Sequence, residues 1–226
     1  MKKIKTVVKK ILKPSSQPES LGRQRSFKVQ ENGIPRRNYE SYSEYIEHQK
    51  EKLGKNIESI RQHDEEYEVL VTERYKQFLA KDKGNSILSL AARLGGEVRA
   101  FKNLGLLSVG IDLEPGDLNN YVLHGDFHDL QFSDEVFDYA FCNALDHVFD
   151  LKKLLKETHR ILKPNGEFII ELALVNPSNY ESIDTSQFDR IHAIISEYFS
   201  LSMKKEVLNK TSYGQWEGLE LHYKKN

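Results

Sequence analysis

Four stretches of the sequence carry groups able to recognise a nucleoside or move a proton, and each follows a short apolar run. They are Ala91-Ala92-Arg93-Leu94-Gly95-Gly96-Glu97, Asp112, Gly125-Asp126-Phe127, and Asn143-Ala144-Leu145-Asp146-His147. Small residues in the first let backbone approach a ligand closely, and Gly95-Gly96 permits a tight turn into a helix. Asp112 stands 23 residues beyond Ser89. That is the place from which an acid accepts hydrogen bonds from a ribose diol. An acid followed by an aromatic, as in Asp126-Phe127, can take an adenine amino group and pack against the ring. Asp146-His147 has the make-up of a base that deprotonates a hydroxyl, with His128 and Asp129 second in line. Singly, each has a bland reading: two glycines make a turn, an aspartate caps a helix, a histidine packs on a loop. The order of all four is the stronger observation.

Such groups need elements that bring them to one edge. Apolar runs predict strands at Ser86–Leu90, Ser108–Leu113, Tyr121–Asp126, Phe137–Asn143, Glu167–Leu174, Leu201–Leu208 and Gly218–Lys224. Between them, helical spacing predicts helices at Gly96–Leu104, Asp150–Leu162 and Gln187–Phe199. This alternation implies an α/β fold, a doubly wound, mostly parallel seven-stranded sheet with helices on both faces. Its ligands lie beyond the carboxyl ends of the strands. Residues 84–226 form this domain. Residues 39–83 are a helical extension, with Gly54 the expected break, and residues 1–38 a basic tail with an irregular connection over 21–38. Cys142 falls within the fourth strand and reads as a packed thiol. His159, His192 and His222 read as structural.

Phe132-Ser133-Asp134-Glu135-Val136-Phe137-Asp138 and Arg160-Ile161-Leu162-Lys163-Pro164-Asn165-Gly166 follow the patterns F-x-D-x-x-F-D and R-x-L-K-P-x-G. With the strand, small loop and helix between them, the stretch 86–174 resembles the class I, Rossmann-like S-adenosylmethionine-dependent methyltransferases. The resemblance implies a methyltransferase with S-adenosylmethionine as cofactor. It places Ala91, Arg93 and Gly95 in the glycine-rich loop, Asp112 and Leu113 at the ribose, Asp126 and Phe127 at the adenine, and Asn143 near the methionine part. The first motif departs from the family: Ser89 stands where an acid is usual, and Ala91 and Arg93 where glycines are. Glu97 is then the acid available to the cofactor's ammonium, and Arg93 a charge beside its carboxylate. A second reading stays open, a decayed binding or regulatory module of the same fold. An interaction protein built on the helices of 39–80 is compatible with either. A nicotinamide dehydrogenase is not, because the loop lacks the first two glycines of G-x-G-x-x-G.

Charge is uneven. Nine of the 33 basic residues lie in positions 1–28 against one acid, Glu19, leaving 24 basic and 33 acidic residues beyond. An acidic body is not a phosphate-gripping surface, so no nucleic acid is expected. Ile4, Val7, Val8, Ile11 and Leu12 form a helical stripe among lysines, the make-up of a peripheral contact with an anionic membrane surface. One cysteine excludes a disulfide framework, and no metal is expected, since no metal-binding histidine pair appears. The location expected is cytoplasmic, with peripheral contact at the inner face of a membrane as the alternative. The acceptor expected is a small molecule or saccharide. It would be chosen by helices 39–80, loop 114–120 and stretch 175–186, with Tyr39, Tyr42, Tyr45, Tyr180 and Trp216 as candidate ring surfaces. Oligomeric state is not encoded legibly.

Overall fold

The computed structural model describes residues 26–226 except 56, 80–83, 117–118, 175–176, 178–179 and 213. The basic stripe of 2–13 lies outside the described residues. The chain opens with strands β1 (Phe27–Val29) and β2 (Pro35–Arg37), paired antiparallel where an irregular connection was expected. Two helices follow, α1 (Tyr42–Lys55) and α2 (Ile57–Leu79). The alternating region comprises β3 (Ser86–Leu90), α3 (Gly96–Asn103), β4 (Leu107–Asp112), β5 (Val122–His124), β6 (Phe137–Cys142), α4 (Leu151–Ile161) and β7 (Leu162–Ala173). It closes with α5 (Phe188–Ile195), β8 (Phe199–Thr211) and β9 (Gly214–Lys225).

Seven strands form one sheet in the order β5-β4-β3-β6-β7-β9-β8, parallel from β5 to β7, with β9 antiparallel to both neighbours. β3 and β6 are therefore adjacent with connections running opposite ways, and their carboxyl ends border the switch-point crevice. Strand alternation divides the buried residues between two faces. Ile87, Tyr139, Phe141 and Ile169 pack with Tyr67, Val71 and Tyr75 of α2 and Phe101 of α3. Leu88, Leu90, Ala140, Cys142, Phe168 and Ile170 pack with Leu154 and Leu155 of α4 and Ile191 and Ile195 of α5. The buried face of α2 runs Ile60, Asp64, Tyr67, Val71, Tyr75, at steps of three and four. The extension thus forms one layer of the fold.

The two sequence motifs have structural work. Arg160 donates to the Phe132 and Leu130 carbonyls (2.7 and 2.9 Å) and pairs with Asp134 and Glu157. It thereby ties α4 to the approach to β6. Lys163 donates to Asp138 (2.9 Å), whose other oxygen accepts from the Asn85 and Ser86 amides. Asn165 adopts φ +63° where the chain turns. α4 starts on Asp150, which accepts from the Lys153 amide (3.1 Å), a side-chain cap.

Observed bounds differ from expectation mainly at ends. β8 and β9 are longer, pairing up to Thr211↔Gly214 as a hairpin. α5 stops at Ile195, short of Phe199. The α1–α2 break falls after Lys55, close to Gly54.

Candidate active site

The loop after β3 keeps the backbone of a glycine-rich turn with few glycines. Ala91 has φ +56°, Arg93 φ +47° and Gly95 φ +90°, so alternate residues are left-handed. Two of these carry a side chain in a region that costs such residues about 1–2 kcal/mol. The turn is fixed by the Ala92 amide on Ile111 O, the Gly95 amide on Ala92 O, and the Arg93 amide on Asp112 Oδ2 (2.8, 2.8 and 2.9 Å). α2 crosses the start of α3 so closely that a Cβ on Gly96 would lie 2.4 Å from Asp64 O. Asp64 accepts from the Gly96 amide (2.9 Å) and pairs with Arg99 (2.6 Å), supplying the cap that Gly95 cannot.

Glu97, in the first turn of α3, is only 3% exposed. Burial, then the Asp64 charge, push its carboxyl up to about 8 from the ordinary 4.5; nearby Arg93 pulls the other way. A cationic visitor in the cavity would favour the ionised form, so the buried acid gives up its proton to pair with it.

Two adjoining cavities open at the carboxyl ends of β3 and β6. The larger, about 280 Å³, is lined by Ala91, Arg93, Glu97, Asn143, Asp146 and His147. His63 and Tyr67 of α2, Ala173, Glu181 and Trp216 also line it. The smaller, about 60 Å³, is lined by Ala91, Arg93, Asp112, Leu113, Phe127 and His147, with Tyr45 and Gln49 of α1 closing it. Nine of the eleven sequence-derived site residues thus border these cavities. Gly95 shapes the loop without lining them. Asp126 is turned into a separate network.

In that network Asp126 accepts from the Tyr42 hydroxyl and from the His128 amide (2.8 Å). The Asp150 amide donates to His128 Nε2 (3.1 Å), so His128 Nδ1 carries the proton and reaches Asp126 Oδ1 at 3.0 Å. Burial alone would raise Asp126, but the bonds from His128 and Tyr42 outweigh it and hold the carboxyl down at about 2. His128 is fully buried with both ring nitrogens engaged. It is a structural residue, contrary to the expectation of a second base.

Asp146 and His147 sit in a short 3₁₀ turn, Leu145–His147, that directly follows β6. His147 Nδ1 donates to the Tyr180 carbonyl (3.1 Å), which leaves Nε2 as the lone-pair nitrogen, 3.7 Å from Asp146 Oδ2. The Asp146 carbonyl accepts from the Ser182 and Ile183 amides (2.6 and 3.0 Å). β2 presses that segment down, because the Arg37 amide donates to Ser182 O (2.7 Å) and Arg37 Nε to Glu181 O (2.9 Å). The unexpected β1–β2 hairpin is therefore part of what holds the Asp146-His147 turn.

Gln49, His63 and Tyr67 line the cavities without having been picked out by sequence reasoning, whereas Tyr45, a candidate ring surface, lines the smaller one. Tyr39 and Tyr45 are core, 8% and 1% exposed. Tyr180 stacks on His48. Cys142 is buried and its thiol is pushed up to about 12 by that burial. His222 is buried between Glu167 and Glu220 (3.2 and 3.0 Å). No cluster of three or more metal-ligating side chains exists among the described residues. No described helix is long and apolar enough to cross a membrane. A wider groove between α2 and loop 114–121 has its cations paired, Arg99 with Asp64 and Glu68, Lys50 with Glu114 and Arg61 with Glu58.

Residues 88–170 match the model of a family described as "Methyltransferase domain". Over that stretch the chain is similar to methyltransferase domains. A demethylmenaquinone methyltransferase of Listeria welshimeri is 27% identical over 118 residues, half of each chain. The sterol 4-C-methyltransferase of Caenorhabditis elegans is 28% identical over 116 residues, 51% of this chain and 31% of that one. The chain thus spans half or less of the length of these relatives. Among solved structures, a Thermotoga maritima protein titled an SAM-dependent methyltransferase superposes with a TM-score of 0.59 at 16% identity. That likeness covers 80% of this chain and all of the other. A Pyrococcus horikoshii protein gives 0.56 at 21%, covering 70% and 89%. Both likenesses show the fold.

The likeness to methyltransferase domains implies S-adenosylmethionine, and the residues present fit it. A left-handed loop bares its backbone at the switch point, and two carboxylates, Asp112 and Glu97, face the two cavities. The buried Glu97 matches a cationic amino-acid moiety in the larger cavity.

Proposed function

We propose that this protein is an S-adenosylmethionine-dependent methyltransferase acting on a hydroxyl of a small polar molecule, of saccharide type. The observation that carries the reading is the Asp146-His147 pair on the wall of the same cavity as Glu97 and the glycine-loop backbone. When bound, S-adenosylmethionine supplies an electrophilic methyl group on a sulfonium. The chain's residues bind and align. Asp112 receives the ribose hydroxyls, Leu113 and Phe127 flank the adenine, and Glu97 with Asn143 takes the amino-acid end. Arg93 offers a charge-assisted bond to the carboxylate.

His147 is placed to accept the acceptor's hydroxyl proton at Nε2, because Nδ1 is committed to the Tyr180 carbonyl. Asp146, 3.7 Å from Nε2, stabilises the imidazolium that results. Closure of the cavity by α1 and α2 excludes water and supplies alignment. The names of the relatives, a demethylmenaquinone methyltransferase and a sterol 4-C-methyltransferase, support a small-molecule acceptor. The decayed-module alternative is not favoured, since the family model and the curated relatives that match this stretch are methyltransferases. Transfer of labelled methyl from S-adenosylmethionine to a panel of methyl glycosides tests the reading. His147→Ala should lower turnover by about 10²–10⁴-fold with cofactor affinity unchanged. Equal turnover in the variant contradicts the base assignment.

A further inference from the structure

A small chamber of about 50 Å³ adjoins the larger cavity. The two share Tyr67, Asn143, Ala173 and Trp216 as walls. Glu171 and Leu172 of β7 and Val207 and Asn209 of β8 line the chamber but not the cavity. Helix α2 crosses here and fixes the polar groups. Glu171, 4% exposed, has both oxygens occupied: Oε1 takes Arg74 and the Tyr75 hydroxyl (3.1 Å), and Oε2 the Tyr67 hydroxyl (2.9 Å). Its charge is matched by Arg74, so it is not the group that waits for a ligand.

Asn209 is that group. It is 2% exposed, although β8 is an edge strand of the sheet. Its Oδ1 accepts from Arg74 Nη2 (2.7 Å). A guanidinium only donates, so oxygen is the amide atom facing Arg74, and Nδ2 with its two N–H donors faces away. No acceptor among the described residues takes those donors. A buried donor left without an acceptor is costly, so the chamber favours a guest that brings an oxygen. Around Asn209 the walls are apolar: Leu172, Ala173, Val207 and the half-buried Trp216. One water needs about 10–15 Å³, so the space suits a group of about three to five non-hydrogen atoms. A carboxylate would satisfy Asn209 but bring a second negative charge beside Glu171, with Arg74 already committed. A neutral acyl group brings a carbonyl oxygen for the donors and a methyl for the apolar walls.

Resting on the methyltransferase reading, we propose that this chamber is a specificity pocket for a neutral acylamino substituent of the acceptor. The carbonyl oxygen accepts from Asn209 Nδ2 and the acyl methyl lies against Val207 and Leu172. The acceptor class is then an N-acetylated sugar, whose ring lies in the larger cavity with one hydroxyl at His147.

The test is calorimetric titration of the full chain with the methyl glycosides of glucose, galactose and mannose, with their 2-acetamido counterparts, and with methyl glucuronide. Each is run with and without S-adenosylhomocysteine, whose own binding is measured separately. At least one 2-acetamido glycoside should bind about tenfold or more tighter than its 2-hydroxy parent. Asn209→Asp keeps an oxygen for Arg74 and replaces the free donors by an acceptor. It should abolish that advantage while S-adenosylhomocysteine affinity is retained. Val207→Phe, which fills the chamber with a larger side chain, should abolish it as well. Absence of binding by every 2-acetamido glycoside, equal affinity for each and its parent, tighter binding of methyl glucuronide, or a wild-type preference in Asn209→Asp would each overturn the proposal. A wild type that keeps the 2-acetamido preference but does not bind S-adenosylhomocysteine instead strikes the methyltransferase reading alone.

Discussion

Glu97 makes a quantitative prediction about pH. The carboxyl is 3% exposed and held up to about 8, first by burial and then by Asp64. A cofactor carrying an ammonium and a sulfonium pairs best with the ionised acid, so binding must remove a proton wherever Glu97 is neutral. About one molecule in a hundred is ionised at pH 6 and about half at pH 8. Affinity should therefore rise about fifty-fold between those values and flatten above, with proton release on binding at pH 7. Calorimetry in phosphate and in Tris measures both, because released protons make the apparent enthalpy buffer-dependent. Glu97→Gln should bind more weakly at pH 8, with little slope and no proton release. Stability follows the same linkage with a definite sign. A carboxyl raised from 4.5 to about 8 contributes stability that is fully present below 4.5 and lost as pH rises through 8. The loss is on the order of 5 kcal/mol at most, so Glu97→Gln should unfold later than wild type above pH 8. Equal wild-type affinity at pH 6 and pH 8, with identical enthalpies in both buffers, would refute this assignment.

Other consequences can be measured without knowing the acceptor. Ala91→Gly relieves a left-handed alanine and should stabilise the protein by up to about 1 kcal/mol in urea unfolding, after the glycine's greater unfolded-state entropy is offset; destabilisation would contradict the strained-loop account. Tyr42→Phe removes a donor from Asp126, so the Asp126 carboxyl should titrate higher than its depressed value, with affinity for S-adenosylhomocysteine unchanged; an altered affinity would count against the placement of Asp126 outside the two cavities.

The parallel core was legible because its strands are short apolar runs with acids or small residues at their ends. Ser86–Leu90 is buried along its whole length, and its β-strand bounds match expectation. The Arg160–Gly166 pattern was legible because its two cations, Arg160 and Lys163, are each held by an acid of the preceding pattern, Asp134 or Asp138. What escaped depends on long-range packing. The β1–β2 pair has three residues per strand and gains its place from Ser182 and Glu181, about 145 positions away. The reach of β8 and β9 beyond β7 depends on brackets from α2, with no apolar alternation to announce it. Asp126 looked like a ligand group from its position, yet Tyr42, in a helix 84 residues earlier, occupies it. The loop's left-handed backbone was hidden because Ala91 and Arg93 have side chains that normally avoid it.

The central claim, a working S-adenosylmethionine site at the ends of β3, β4 and β6, rests most directly on Asp112. Its two oxygens accept the Arg93 and Glu114 amides (2.9 and 2.8 Å) and border the smaller cavity. Calorimetric titration of the full chain with S-adenosylmethionine and S-adenosylhomocysteine, with Asp112→Asn and Asp112→Ala beside it, is the decisive measurement. The account predicts micromolar binding of both compounds by wild type, weakened about tenfold or more in each variant while both variants stay folded. A folded wild type that binds neither compound, or variants that bind as tightly as wild type, would contradict it.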